Sequence, residues 1–261
     1  MENKIKPKDS DSFLGKFPLL TPENIDEIEK EIEEDPTYGK KANGGELNRF
    51  FKDDKYKYNT NHDIVIHKIL LIDYTNSTQL QRHKRDLSIF TLANRIIQIR
   101  DLDKRIESGD LNLVAELANQ AIIQNNDKSS RGSTKTSKRE HINLFSFATK
   151  YCLYHNRISY GHDHYSIYDR VVADAIPHYL HDIKKDDIEQ FRKEADYKSF
   201  HYLITRIINE NGLGQIDFIR RKLDHFLWYP NKLSFYSKNK NKKKEKDVSS
   251  SSADLFANNN D

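Results

Sequence analysis

Helical spacing of apolar residues, repeated along most of the chain, is the feature that most restricts the fold. Between residues 22 and 228 apolar side chains return every three or four positions, as at Ile25, Ile28 and Ile32. This spacing places them on one face of an α-helix, and no convincing alternating run indicates a strand. The sequence therefore predicts an all-α fold of about seven helices, two of them long, at residues 85–106 and 186–211.

Composition divides the chain into one central domain and two ends. Residues 1–21 have no periodicity and are predicted to be a flexible lead, and Thr21 followed by Pro22 is a typical helix start. Residues 22–232 are predicted to form a single helical domain. Residues 233–261 are rich in Lys, Asn and Ser, and this composition predicts disorder.

The overall composition excludes several classes of protein. The 261 residues are 36% hydrophobic and 32% charged, and Cys152 is the one cysteine. A single cysteine excludes an intramolecular disulfide and a cysteine-rich metal cluster. No window approaches the roughly 18 apolar residues of a membrane span, and the N-terminal segment lacks the apolar run of a signal peptide. We therefore expect a cytoplasmic protein that does not associate with membranes.

Two basic stretches suggest an anionic partner. Residues 238–247 contain six Lys with one Glu and one Asp, and residues 127–141 contain three Lys and two Arg with two acidic residues. A basic tail is more often a solvated end, but clustered basic side chains can also hold a nucleic acid through its phosphates. The second stretch predicts the contacting residues Lys128, Arg131, Lys135, Lys138 and Arg139.

Two charges occupy unusual positions in the apolar, aromatic run "SFATKYCLYHNRISYGHDHYSIYDRVV", residues 146–172. Lys150 is surrounded by apolar neighbours in its own segment, and Asp169 follows nineteen positions later. The ordinary interpretation is a lysine at the edge of a helix face and an aspartate that caps a helix. Burial, however, lowers the pKa of a lysine, and a neutral amine is a nucleophile. The two residues are therefore candidates for a reaction centre.

This run resembles the second half of the helix-hairpin-helix motif of the DNA glycosylase superfamily, in particular the 8-oxoguanine DNA glycosylase fold. In that family a Gly-x-Gly hairpin precedes a catalytic lysine, and a catalytic aspartate follows at the interval seen here. The resemblance covers residues 142–176 and places the motif at 135–156, with Ser146 and Ala148 where the family has glycines. It implies that Ser146, Ala148 and Thr149 contact DNA.

The resemblance also implies a base-excision enzyme. A modified or damaged nucleotide would be flipped into a pocket, and Asp169 would stabilise the positive charge that develops on the sugar. Lys150 would attack C1′ and form a Schiff base, which also permits strand cleavage by AP-lyase chemistry. The expected partner is duplex DNA with a modified or abasic site, so the protein would be associated with the nucleoid when bound. We expect a monomer, no required cofactor, and a pocket rim formed by Tyr154, His155, His162 and His164.

Two other functions remain open from the sequence. The first is a non-catalytic helix-hairpin-helix DNA-binding protein in which Lys150 contacts a phosphate. The second is a ribonuclease, because Arg220 and His225 in "RRKLDH" have the Arg-x4-His spacing of the all-α HEPN ribonucleases. His162 and His164 form a His-x-His pair, but no further ligand is evident, so no metal site is predicted.

Overall fold

The computed structural model describes residues 17–35, 45–76, 78, 80, 88–119 and 143–232. Within these ranges the fold is all-α, with eleven α-helices and no strand, which confirms the predicted fold class. The helices are α1 (Pro22–Glu34), α2 (Gly45–Lys52), α3 (His62–Asn76), α4 (Ile89–Ile97), α5 (Leu102–Ser108), α6 (Asn112–Ala118), α7 (Phe145–Tyr154), α8 (Arg170–Ala175), α9 (Lys185–Glu194), α10 (Tyr197–Glu210) and α11 (219–232).

Two of the helices beyond the predicted seven arise because both long segments are broken. The segment 85–106 contains α4 and α5, which are separated near Asp101, where φ is 52°. The segment 186–211 contains α9 and α10, which are separated at Ala195, where φ is 55°. Left-handed backbone interrupts a right-handed helix, and periodicity does not reveal it when the residue is not glycine.

The first helix, α1, begins after Thr21, as the sequence predicts. The Thr21 hydroxyl caps α1 by accepting a hydrogen bond from the Asn24 N–H at 3.2 Å, and Ile25, Ile28 and Ile32 are buried. The last residues of the predicted flexible lead pack against the domain: Leu20 is buried, and the Tyr179 hydroxyl donates to the Pro18 carbonyl at 3.0 Å. Residues 1–16 and 233–261 lie outside the described residues.

Helix α7 lies in the core. Eight of its ten residues are buried, and it packs against α6 and α3. A π-helical turn, His155–Ser159, continues it and packs against α2. Among the described helices, none has both the length and the apolar character that a bilayer span requires. The position of α7 matters because it carries Lys150 into the interior.

The hairpin predicted around residues 146–150 is replaced by helix. The Ala148 N–H donates to the Leu144 carbonyl at 2.8 Å, as in the first turn of an α-helix. Alanine is the best helix former, and neither Ser146 nor Ala148 supplies the conformational freedom that the glycines of a hairpin would have. The described part of the predicted motif, residues 143–156, is therefore helical after its first two residues.

Candidate active site

Lys150 and Asp169 meet at the edge of the core. The Lys150 Nζ lies 3.6 Å from the Asp169 Oδ2, and it donates a hydrogen bond to the Ser146 Oγ at 3.0 Å. The lysine side chain is only 5% exposed, whereas the aspartate side chain is 25% exposed. The ammonium group therefore lies beneath a carboxylate that faces solvent in part.

The position of Asp169 is fixed by the backbone around it. Asp169 is the N-cap of α8, and its Oδ1 accepts a hydrogen bond from the Val171 N–H at 2.9 Å. The preceding residue is tied to α7 in two ways: the Tyr168 N–H donates to the Thr149 Oγ1 at 3.1 Å, and the Ser146 hydroxyl donates to the Tyr168 carbonyl at 3.1 Å. The aspartate is thus both a helix cap and the partner of a buried lysine.

These contacts change the role predicted for the small residues before Lys150. Ala148 and Thr149, which are predicted to contact DNA, are fully buried in the core. The Ser146 hydroxyl is engaged with Tyr168 and Lys150. Ser146 and Thr149 instead hold the extended segment that leads to Asp169, through their bonds to Tyr168. The basic residues predicted to contact DNA lie outside the described residues: Lys128, Arg131, Lys135, Lys138 and Arg139.

A third ionisable side chain, Asp224 on α11, is coupled to the pair. Burial above all, together with the negative charge of Asp169, raises the pKa of Asp224 to about 7, although the positive charge of Lys150 acts in the opposite direction. Burial lowers the pKa of Lys150, against the opposing charges of Asp169 and Asp224. Asp224 was not predicted, because it follows Asp169 by more than fifty residues and only the fold brings the two charges together.

Tyr154 and Arg157 lie next to this acidic and basic cluster. The Tyr154 hydroxyl donates to the Asn76 Oδ1 at 2.6 Å, and burial raises the pKa of Tyr154 to about 12, with Asp224 and Asp169 contributing. The Arg157 guanidinium carbon lies 5.5 Å from the centre of the Tyr154 ring, a cation–π contact. Tyr154 therefore lies close enough to Asp169 and Asp224 for their charges to act on it, and its place on a pocket rim stays a prediction.

His155 is not on a pocket rim. It is fully buried, with its Nε2 3.0 Å from the Lys68 Nζ and its Nδ1 3.3 Å from the Asn59 side-chain nitrogen. The Asn59 Oδ1 also accepts hydrogen bonds from Lys68 and from the Tyr151 hydroxyl. This polar core network holds α3 to α7, which is a structural role.

The histidines at positions 162 and 164 are exposed, and their rings stack with centroids 5.0 Å apart. No group of three or more His, Cys, Asp or Glu side chains within the described residues is arranged to hold a metal ion. Within the described residues, neither ring forms a hydrogen bond or ion pair with Lys150 or Asp169. Their place on the pocket rim therefore stays a prediction that no contact supports.

Arg220 and His225 have different partners. The Arg220 guanidinium donates to the Thr205 Oγ1 at 2.9 Å and to the Ser166 Oγ at 3.2 Å. The His225 Nδ1 lies 2.7 Å from the Glu29 Oε1. Among the described residues the two side chains share no hydrogen-bond partner. The ribonuclease alternative stays an untested prediction.

The buried Lys68 gives a test of the core network by stability. Burial lowers the pKa of Lys68 to about 7, far below the ordinary value of a lysine. Above pH 7 the unfolded state binds more protons than the folded state, so the free energy of unfolding should rise with pH, by roughly 1 kcal/mol per unit between pH 7 and 9. Urea denaturation should show this slope in the wild type and a smaller slope in Lys68→Met. Equal slopes would show that Lys68 is not the group responsible.

Comparison with known proteins gives one family and one relative. The family model HI_0787_N, described as an N-terminal domain, matches residues 24–159. An uncharacterized protein of Haemophilus influenzae is 32% identical over 158 residues, which cover 58% of this chain and 62% of that protein. The chain therefore spans less than two thirds of this relative. No solved structure matches.

The predicted membership of the DNA glycosylase superfamily is wrong. The family model that matches is a different one, and no glycosylase family matches the chain. The resemblance depended on a short lysine-to-aspartate pattern and a hairpin, and the supposed hairpin is helix α7. The matched family segment, 24–159, includes Lys150 and ends before Asp169 and Asp224.

Proposed function

This chain belongs to the HI_0787_N family, and we propose that it cleaves the N-glycosidic bond of a modified or damaged nucleotide in DNA through its Lys150–Asp169 site. The observation that carries the proposal is the 3.6 Å approach of the Lys150 amine to the partly exposed Asp169 carboxylate. The family description and the uncharacterized relative name no activity, so the proposal depends on these side chains alone.

The carboxylate of Asp169 suits the stabilisation of a positively charged sugar. When a glycosidic bond breaks, positive charge develops at C1′, and a fixed anion lowers the energy of that transition state. Asp169 is held by the Val171 N–H at the start of α8 and by Lys150. A carboxylate held in this way needs little reorganisation when the charge appears, which favours catalysis over mere binding.

Lys150 suits the role of the nucleophile. Burial lowers the pKa of its amine, which increases the fraction of neutral amine near neutral pH. A neutral amine can attack C1′, and the product rearranges to a Schiff base. Because the side chain is 5% exposed, the attack requires the amine to turn away from Ser146 and toward the Asp169 side of the site.

Positive charge near the pair is consistent with a phosphate-bearing substrate. Arg157 lies in the turn after α7, with its guanidinium carbon 5.5 Å from the centre of the Tyr154 ring. Arg170 follows Asp169 directly and is exposed. Basic side chains of this kind hold the DNA backbone, with an affinity that falls steeply as salt increases.

A panel of duplex oligonucleotides tests the proposal. Each duplex carries one modified base or one abasic site, and the released base and the cleaved strand are measured under single-turnover conditions. We expect base release from at least one modified duplex and none from the unmodified duplex. Absence of both base release and strand cleavage on every duplex, with a folded protein, would overturn the proposed function.

A further inference from the structure

The hydroxyl of Ser146 lies between the Lys150 amine and the backbone that leads to Asp169. Its oxygen accepts a hydrogen bond from the Lys150 Nζ at 3.0 Å, and it donates its proton to the Tyr168 carbonyl at 3.1 Å. A serine hydroxyl has one proton to donate and two lone pairs that accept. Because the proton is committed to Tyr168, Ser146 acts toward Lys150 as an acceptor, whether the amine is charged or neutral.

The neighbouring backbone fixes the position of this hydroxyl. Ser146 precedes Lys150 by four residues in α7, so the two side chains lie on the same face of the helix. The Thr149 hydroxyl donates to the Ser146 carbonyl at 3.0 Å and accepts from the Tyr168 N–H at 3.1 Å. The two hydroxyls thus satisfy both backbone polar groups of Tyr168. Rotation of the Ser146 hydroxyl would leave the Tyr168 carbonyl without this donor, which is costly in a core.

We infer that Ser146 is a positioning residue for Lys150, an inference that rests on the proposed function. It holds one N–H of the amine and thereby directs the nitrogen lone pair toward the partly exposed side of the site, where Asp169 lies. The Asp169 Oδ2, at 3.6 Å, is farther from the amine than an ordinary hydrogen-bond acceptor. The turn of the amine that the attack requires is then a rotation about the Cε–Nζ bond that keeps one N–H on Ser146.

Positioning of this kind affects the rate constant and not the binding of DNA. The lone pair must meet C1′ along a narrow approach, and a small misplacement of a reacting atom can cost about 100-fold in rate. Ser146 need not touch the DNA to have this effect. A hydrogen bond from a charged donor is stronger than one from a neutral donor, so the Ser146 oxygen also favours the ammonium form of Lys150. Its removal should therefore change both the rate constant and the pH dependence of adduct formation.

Borohydride trapping on a duplex with an abasic site, measured across pH, tests this inference. Ser146→Ala should lower the rate constant at saturating duplex and high pH by about 10-fold to 100-fold, with the affinity for the duplex unchanged. Its midpoint should lie at lower pH than that of the wild type, because the lost hydrogen bond favoured the ammonium form. Ser146→Thr retains a hydroxyl and should restore both values toward those of the wild type.

Two other hydroxyls give matched controls. The Ser159 hydroxyl donates to the Phe51 carbonyl at 3.0 Å, so Ser159→Ala loses a comparable bond elsewhere and should trap DNA as the wild type does. Thr149→Val removes the bond to the Tyr168 N–H and leaves the bond between Ser146 and Lys150, so it should keep the wild-type midpoint. A midpoint that moves in Thr149→Val as far as in Ser146→Ala would mean that Ser146 acts only on the Tyr168 segment, and would overturn the inference.

The outcomes separate this inference from the proposed function. If the wild type traps DNA and Ser146→Ala keeps both the rate constant and the midpoint, the inference is overturned and the proposed function stands. If Ser146→Ala fails to fold, Ser146→Cys decides, because sulfur is a weak acceptor of similar size. Wild-type values of both quantities in that variant overturn the inference. If the wild type forms no adduct and releases no base from any duplex, both are overturned.

Discussion

Replacement of Lys150 by Gln is expected to abolish covalent trapping on DNA and to slow base release by at least about 1,000-fold. An amide is not a nucleophile, so no Schiff base can form. Gln can still donate a hydrogen bond to the Ser146 Oγ, which Lys150 contacts at 3.0 Å, so the packing of α7 should be retained. Single-turnover base release and borohydride trapping on the same duplex measure the two effects.

Lys185 provides the matched control for this change. It pairs with Asp174 at 2.6 Å, but its side chain is 47% exposed. Lys185→Gln should leave trapping and base release at the wild-type level. Thermal unfolding of both variants shows whether a loss of activity is a loss of fold. A folded Lys150→Gln variant that still releases base at the wild-type rate would exclude Lys150 as the nucleophile.

Replacement of Asp169 by Asn is expected to slow base release by roughly 100-fold to 1,000-fold. The substitution removes the fixed negative charge that stabilises the positively charged sugar. Asn is as good an N-cap as Asp, so the hydrogen bond to the Val171 N–H and the start of α8 should persist. Kinetics at saturating duplex should show the loss in the rate constant with little change in affinity.

The same variant has a second signature, in the pH dependence of trapping. The negative charge of Asp169 raises the pKa of Lys150, so its removal should lower that pKa further. The neutral amine then persists to lower pH, and the midpoint of adduct formation should move to lower pH. Asp174→Asn, on the same helix, should leave both the rate and the midpoint unchanged. An Asp169→Asn variant with wild-type kinetics would make this residue a helix cap only.

Periodicity was sufficient for the fold class because a helix shows its buried face in a single segment of sequence. Ile25, Ile28 and Ile32 are buried as predicted. The ends of the helices were harder to place, because the breaks at Asp101 and Ala195 depend on left-handed backbone at residues that do not require it. Tertiary packing determines such breaks, and the residue types do not reveal them.

The candidate site was only partly visible in the sequence. Lys150 and Asp169 were notable as charges in apolar runs, and the fold brings them together. Asp224 was not notable in the sequence, because its electrostatic coupling to Lys150 and Asp169 arises from the packing of α11. The sequence places His155 in a loop with His162 and His164, whereas the π-helical turn buries it beside Lys68.

The predicted family is wrong because the prediction rests on a short sequence pattern and not on the whole fold. A lysine and an aspartate nineteen residues apart can be brought together by any helix that is followed by an extended segment and a second helix. Here α7, residues 161–169 and α8 do so without a hairpin. Ser146 and Ala148 were the residues that marked the difference, and both belong to the helix.

The most direct test of the central claim is to identify the residue that becomes attached to DNA. The wild-type protein is incubated with a duplex that carries an abasic site, borohydride is added, and the adduct is digested and analysed by mass spectrometry. We expect one modified peptide, from α7, with the sugar remnant on Lys150. An adduct on another lysine, or no adduct from a folded protein, would contradict it.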